Sequence, residues 1–204
     1  MPPLPDRAWC GLNRITTPSV DPIHGRSAWN DHLDGGVEGT MDAISEFDYD
    51  ACAMPQTAQA PDDAGLTRVL ADATSVAVVG ASPDESRTSH QIASWLMDHT
   101  PYEVYLVNPA ATDAEIRGHG FYSSLDELPV VPDIVDVFRR SEFTPGVATE
   151  AAVHGAGTLW LQLGIVNEEA MEIARSSGLT GIENRCIKVE YARLRDHIES
   201  ARVA

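Results

Sequence analysis

The sequence predicts an α/β protein: a Rossmann-like, doubly wound, mostly parallel five-stranded sheet with helices on both faces. Two observations carry this. Short, continuous apolar runs bounded by turn residues recur from Ser75 onward, as expected of strands buried on both faces. Between them lie segments with apolar residues at helical spacing, so strand and helix alternate over roughly 140 residues.

The elements follow in order. Leu66, Val69, Leu70 and Ala73 recur at helical spacing behind Asp62 and Asp63 and predict a short amphipathic helix. "SVAVVG" (Ser75–Gly80) is the first strand. A helix follows with Ile92, Trp95 and Leu96 facing inward, and Thr88 and Gln91 have the spacing of a capping box. "EVYLVNP" is the second strand. A loop then runs through "RGHGFYSSLDELP", with a helical turn at Ser124–Leu128. "DIVDVF" is the third strand, followed by a helix over Glu142–His154 that buries Val147, Ala148, Ala151 and Ala152. "GTLWLQLG" is the fourth strand. The next helix, Asn167–Ser177, has Asn167 as N-cap and Gly178 at its end. "LTGIEN" is the fifth strand, and a closing helix over Lys188–Ser200 carries Val189, Tyr191, Leu194 and Ile198.

Residues 1–60 differ from this pattern. They are rich in Pro, Gly, Asp and Ala, show no sustained period, and read as a disordered tail or an over-extended N-terminus. Trp9, Trp29, Phe47 and Tyr49 leave two alternatives: a segment that docks through its aromatics, or a reading frame whose true start is Met41 or Met54. The second is favoured. Residues 61–204 are expected to form the single folded domain.

Composition narrows the function classes. No run approaches the ~20 apolar residues of a membrane helix, and the N-terminus lacks a secretory pattern, so a cytoplasmic protein without membrane association is expected. The three cysteines, Cys10, Cys52 and Cys186, are far apart and include no CxxC pair, which argues against a disulfide framework and against a metal. The formal charge is −17, and of the 14 basic residues only Lys188 is lysine. Such surfaces resemble those of proteins from salt-loving organisms. In molar salt the Debye length falls to about 3 Å and the acid load is screened. An ordinary acidic protein from a GC-rich genome is the alternative. Either way, a nucleic-acid partner is not expected, because the phosphate backbone requires a basic face.

In such sheets ligands bind beyond the carboxyl ends of the strands, where the strand order reverses. Polar and basic residues follow each predicted strand: Gly80-Ala81-Ser82-Pro83, Asn108-Pro109, Phe138-Arg139-Arg140, Gln162-Leu163-Gly164 and Asn184-Arg185-Cys186. Gly80 lets the backbone turn off the strand, and the free N–H groups near Thr88–His90 favour an anion such as phosphate, although a plain βα connection would read the same way. NAD and FAD are disfavoured because the loop lacks the further glycines and the second strand ends in "VNP", without a ribose-binding carboxylate. A P-loop is absent. Cys186 reads as a buried, inert thiol rather than a reactive one.

The ordered set "VAVVGAS", "RTSHQIASWL", "VYLVNP", "FYSSLDELP", "DIVDVFRR", "LWLQLGIVNEEA" and "NRCIKVEYARL" resembles the small single-domain CoA-binding proteins related to the N-terminal CoA-binding domain of the succinyl-CoA synthetase α subunit. The resemblance covers roughly residues 66–195. It implies a Rossmann-like fold with coenzyme A or an acyl-CoA as cofactor and no metal. It also implies site residues. Gly80, Ala81, Ser82 and Pro83 would form the phosphate-side loop, with Arg87, Ser89 and His90 at the helix start. Asn108 and Pro109 would shape the adenosine side, followed by Phe138 and Arg139. Gln162, Leu163 and Gly164 would line the far wall, with Arg185 among the candidate phosphate cations beside Arg87, Arg139, Arg140 and Lys188. Two positions depart from the family's pattern: Asn184 stands where Asp is usual, and Thr88 where Pro is common.

No catalytic residue is expected. The expected role is a non-catalytic carrier, sensor or accessory domain, or a partner of an acyl-CoA enzyme. Two alternatives remain: a detached subunit of an NDP-forming acyl-CoA synthetase and, behind it, an NAD(P)-linked oxidoreductase.

Overall fold

The computed structural model describes residues 61–203. The tail expected over residues 1–60 lies outside them. The chain order is α1 (Asp63–Asp72), β1 (Ser75–Val79), α2 (Thr88–His99), β2 (Glu103–Val107), β3 (Glu115–Ile116), β4 (His119–Tyr122), β5 (Ile134–Val137), α3 (Thr144–His154), β6 (Thr158–Leu161), α4 (Glu168–Ser176), β7 (Thr180–Ile182) and α5 (Ile187–Val203). Short 3₁₀ turns at Leu125–Glu127 and Ser141–Phe143 precede β5 and α3.

The sheet order is β3-β4-β2-β1-β5-β6-β7, and every pairing is parallel except β3 with β4. The doubly wound α/β class therefore holds, but with seven strands rather than five. The five expected strands are β1, β2, β5, β6 and β7. The added pair is a hairpin inside the stretch expected to be loop. Ile116 pairs with His119 across Arg117 and Gly118, whose φ values are +52° and +79°. A two-residue turn with both central residues at positive φ matches the right-handed strand twist.

Side chains of the strands alternate between two cores, as the period of a strand requires. Val76, Val78, Leu106 and Trp160 face one side, covered by α1, α2 and α5 through Leu66, Leu70, Ile92, Leu96, Tyr191 and Ile198. Ala77, Val79, Val137 and Leu161 face the other, covered by α3 and α4 through Val147, Ala148, Ala151, Ala170 and Ala174. One Asp ties the sheet's other edge: Asp133 Oδ2 accepts hydrogen bonds from the backbone N–H and hydroxyl of both Thr74 and Ser75 at 2.8–3.0 Å. Burial alone would raise this carboxyl, but those bonds together hold it below the ordinary range.

One local expectation is met: Asn167 caps α4 by accepting from Ala170 N–H, and Asp62 caps α1 in the same way by accepting from Gly65 N–H. Three are corrected. The capping box at Thr88 does not form: Arg87 occupies the N-cap position without a side-chain cap, and Gln91 reaches back to the Glu85 carbonyl instead. The helix expected from Glu142 begins at Thr144, because Ser141–Phe143 close a 3₁₀ turn first. Val189 is exposed, since the inward stripe of α5 runs through Ile187, Tyr191, Leu194 and Ile198. Among the described residues no helix is long and apolar enough to cross a membrane.

Candidate binding site at the carboxyl edge of the sheet

All strands but β3 point their carboxyl ends to one edge, and the order reverses between β1 and β5: from β1 the chain moves out to β2, β4 and β3, then returns to start β5 on β1's other side. This is where a crevice is expected in an open α/β sheet. The loops after β1, β2 and β5 are bonded to one another there. Gly80 N–H donates to the Val107 carbonyl and Phe138 N–H to the Val79 carbonyl, both at 2.8 Å. Asn108 Nδ2 donates to the Ala81 carbonyl at 2.7 Å, so the second loop holds the first in place.

Gly80 is fixed by geometry twice over. Its φ is +85°, and a Cβ there would lie 3.0 Å from the Phe138 carbonyl oxygen and 3.1 Å from Arg139 Cδ. The β1 loop and the β5 loop thus pack closely against each other at this point. Ala81 is fully buried beneath the loop, Ser82 Oγ accepts from Asp84 N–H at 3.2 Å, and Pro83 is exposed. At the start of α2, Ser89 is buried and His90 is anchored through Nδ1 to the Ser82 carbonyl at 3.1 Å.

A cavity of about 380 Å³ opens over the ends of β1 and β2. Its lining includes Pro109 and Arg139 with Ser123, Ser124, Phe143 and Glu150. The two serines were not among the expected site residues, for a definite reason. They follow β4, and a strand not recognised as one has no strand end to inspect. Glu150 is engaged by Leu125 N–H at 2.8 Å.

The far wall is arranged differently from expectation. Leu163 is exposed, and Gly164 N–H donates to Asn184 Oδ1 at 2.9 Å. Asn184 has φ +55°, a left-handed conformation that Asn tolerates better than most residues. Gln162 is buried and donates its amide to Asp136 Oδ1 at 2.7 Å. Asp136 is wholly buried, and its Oδ2 has no partner. Burial pushes its carboxyl up to about 8, against the opposing pull of the Gln162 hydrogen bond. Sequence reasoning had singled out neither this residue nor its link to Gln162.

The five candidate cations separate into two groups. Arg87 lies 3.9 Å from Asp84, Arg140 3.6 Å from Glu142 and Arg185 3.5 Å from Glu190. Arg139 and Lys188 have no carboxylate partner among the described residues, and each is poised over a ring instead. The Arg139 guanidinium carbon is 5.4 Å from the Phe143 centroid, and Lys188 Nζ is 5.6 Å from that of Trp95. Arg139 lines the strand-end cavity. Lys188 lines a second cleft beside α2, about 580 Å³ in volume, to which Pro83 and His90 also contribute.

Residues 74–192 match the profile of the family described as "CoA binding domain". An uncharacterized protein of Bacillus subtilis (strain 168), YneT, is 42% identical over 134 residues, which is 66% of this chain and 97% of that protein. A hypothetical protein from Pyrococcus horikoshii OT3 superposes with a TM-score of 0.63 at 32% identity, covering 66% of this chain and 93% of its own. A protein from Thermus thermophilus superposes at 0.62 with 33% identity, over 66% and 99% of the two chains.

Proposed function

The chain belongs to the CoA-binding domain family, and from that premise we propose that it binds coenzyme A or an acyl-CoA along the carboxyl edge of its sheet. It acts in the cytoplasm as a non-catalytic carrier, sensor or accessory domain. The observation that carries this reading is the backbone contact between Gly80 and Phe138–Arg139 at the point where the strand order reverses. Past this contact the Ala81 and Ser82 N–H groups have no partner among the described residues and can meet a pyrophosphate, beside a guanidinium that no described carboxylate occupies.

The roles follow from position. The N–H groups of Ala81 and Ser82 and of the start of α2, with Ser89 and His90, face the pyrophosphate. Arg139 supplies the local cation that a chain of net charge −17 must place deliberately. The cavity lined by Pro109, Ser123 and Ser124 takes the adenosine, with Asn108 holding its wall to the β1 loop. Gln162, Leu163 and Gly164 border the far side, where Gln162 contributes through its backbone because its amide is committed to Asp136. Arg87 and Arg185 are the secondary cations, since each must first leave its own acid.

Calorimetric titration with coenzyme A, acetyl-CoA, NAD and NADP tests the reading. Saturable binding of the two CoA species, with neither dinucleotide competing, is the expected result. Binding of NAD without binding of coenzyme A would end it.

A further inference from the structure

The cleft beside α2 shares Pro83 and His90 with the nucleotide site and extends beyond it. It runs from Pro83 and His90, at the β1 loop, past Trp95 to Arg117 in the turn of the β3–β4 hairpin, with Lys188 on its wall. Three features converge in it.

Lys188 is the only lysine of the chain. The other 13 basic side chains are arginines, whose guanidinium stays protonated and does not serve as an acyl acceptor. The amine of Lys188 is also unclaimed: its Nζ lies over the Trp95 ring, and it forms no ion pair among the described residues. The cleft's other cation, Arg117, is bound to Asp98 at 2.8 Å. Finally, both histidines of the cleft are oriented alike. His90 Nδ1 lies 3.1 Å from the Ser82 carbonyl oxygen, and His99 Nδ1 lies 3.1 Å from that of Trp95. A carbonyl oxygen can only accept, so Nδ1 carries the hydrogen and Nε2 keeps the free lone pair of the neutral ring. One nucleophilic amine and two basic nitrogens therefore share a cleft bounded by the β1 loop.

We propose that Lys188 is an acyl acceptor, taking the acyl group from a thioester of coenzyme A held at that loop; the inference rests on the acyl-CoA reading above. The ammonium loses a proton and the amine nitrogen attacks the thioester carbonyl carbon. The N–C bond forms and the C–S bond breaks. A second proton leaves the nitrogen as the amide forms. One of the two protons goes to the departing thiolate and the other to solvent, with a histidine Nε2 as the relay. The products are Nε-acyl-lysine and free coenzyme A, with no oxidant or reductant required. Because each chain has one such amine, the reaction runs once per molecule and leaves a record of exposure to acyl-CoA.

The test incubates the full chain with acetyl-CoA, follows each amine by peptide mass spectrometry, and measures acetyl-CoA binding by calorimetry on the same sample. The expected result is acetyl transfer to Lys188 that saturates with acetyl-CoA and is suppressed by excess coenzyme A. It should run at least about tenfold faster than in a free peptide of residues 184–193, because binding converts an encounter into an intramolecular step. Binding without selective acetylation of Lys188, or acetylation no faster than in the peptide and indifferent to coenzyme A, would overturn this inference and leave the binding reading standing. Absence of binding would overturn both.

Discussion

The Gln162 side-chain amide donates to Asp136 Oδ1 at 2.7 Å inside the sheet, with both residues buried. The other three residues of β5 are apolar, and Asp136 stands between Val78 of β1 and Trp160 of β6. A carboxylate in such a place would be costly, and Oδ2 has no donor to compensate it. The folded chain therefore keeps Asp136 protonated at neutral pH. The pair fixes the end of β6 where the loop to α4 begins.

Asp136 gives stability a pH dependence whose sign is set. Its folded value is raised to about 8, whereas an unfolded Asp titrates near 4. Between those values the folded state holds a proton that the unfolded state has lost. Its contribution is therefore fully present below about pH 4 and disappears as pH rises through about 8. Asp136→Asn removes this titration. Denaturant unfolding at pH 5 and pH 9 should find the variant gaining about 4 kcal/mol on the wild type between the two conditions. Parallel losses in both proteins would contradict the assignment.

Gly80→Ala forces an L side chain to a positive φ and against the Phe138 carbonyl. A stability loss of about 1–3 kcal/mol is expected, read from the denaturant midpoint. Coenzyme A affinity should fall at least about tenfold, since the loop that meets the pyrophosphate shifts with it.

Arg139 and Arg140 are neighbours with opposite expectations. Arg139→Gln removes a guanidinium with no described carboxylate partner from the wall of the nucleotide cavity, and coenzyme A should bind about tenfold more weakly, or about 1.4 kcal/mol. Arg140→Gln breaks only an exposed contact with Glu142, so affinity should stay within about twofold. Equal effects by calorimetry would place the phosphates elsewhere.

With a charge of −17 carried by 31 acids against 14 basic residues, we expect the fold to gain from salt. The melting temperature should climb as KCl is raised from low concentration to about 1 M, where the Debye length is about 3 Å. A flat or falling curve would remove the salt-adapted reading of the surface.

Much of this architecture is legible in the residues, for physical reasons that also mark where legibility stops. Four of the five expected strands, β1, β2, β5 and β6, are largely apolar and buried runs, and burial on both faces leaves little else for such runs to be; β7, Thr-Gly-Ile at the sheet edge, is only partly buried. The β3–β4 hairpin escaped because its residues are mixed. Glu115, His119 and Gly120 are exposed, and the one cue was a glycine, Gly118, at the second position of a two-residue turn. Losing β4 meant losing Ser123 and Ser124 at its end. Asp136 did leave a mark, an acid within an apolar strand, but its partner is 26 residues away and only the sheet register brings Gln162 to it. The sorting of cations into paired and free is equally three-dimensional. Arg139 and Arg140 are adjacent in sequence, yet one lies over Phe143 and the other reaches Glu142.

A crystal structure of the full chain with coenzyme A tests the central claim most directly. In that structure the pyrophosphate is expected against the main chain of Gly80–Ser82 and the start of α2, with the adenosine in the cavity of Pro109, Ser123 and Arg139. Coenzyme A bound with its phosphates away from the β1 loop would contradict it.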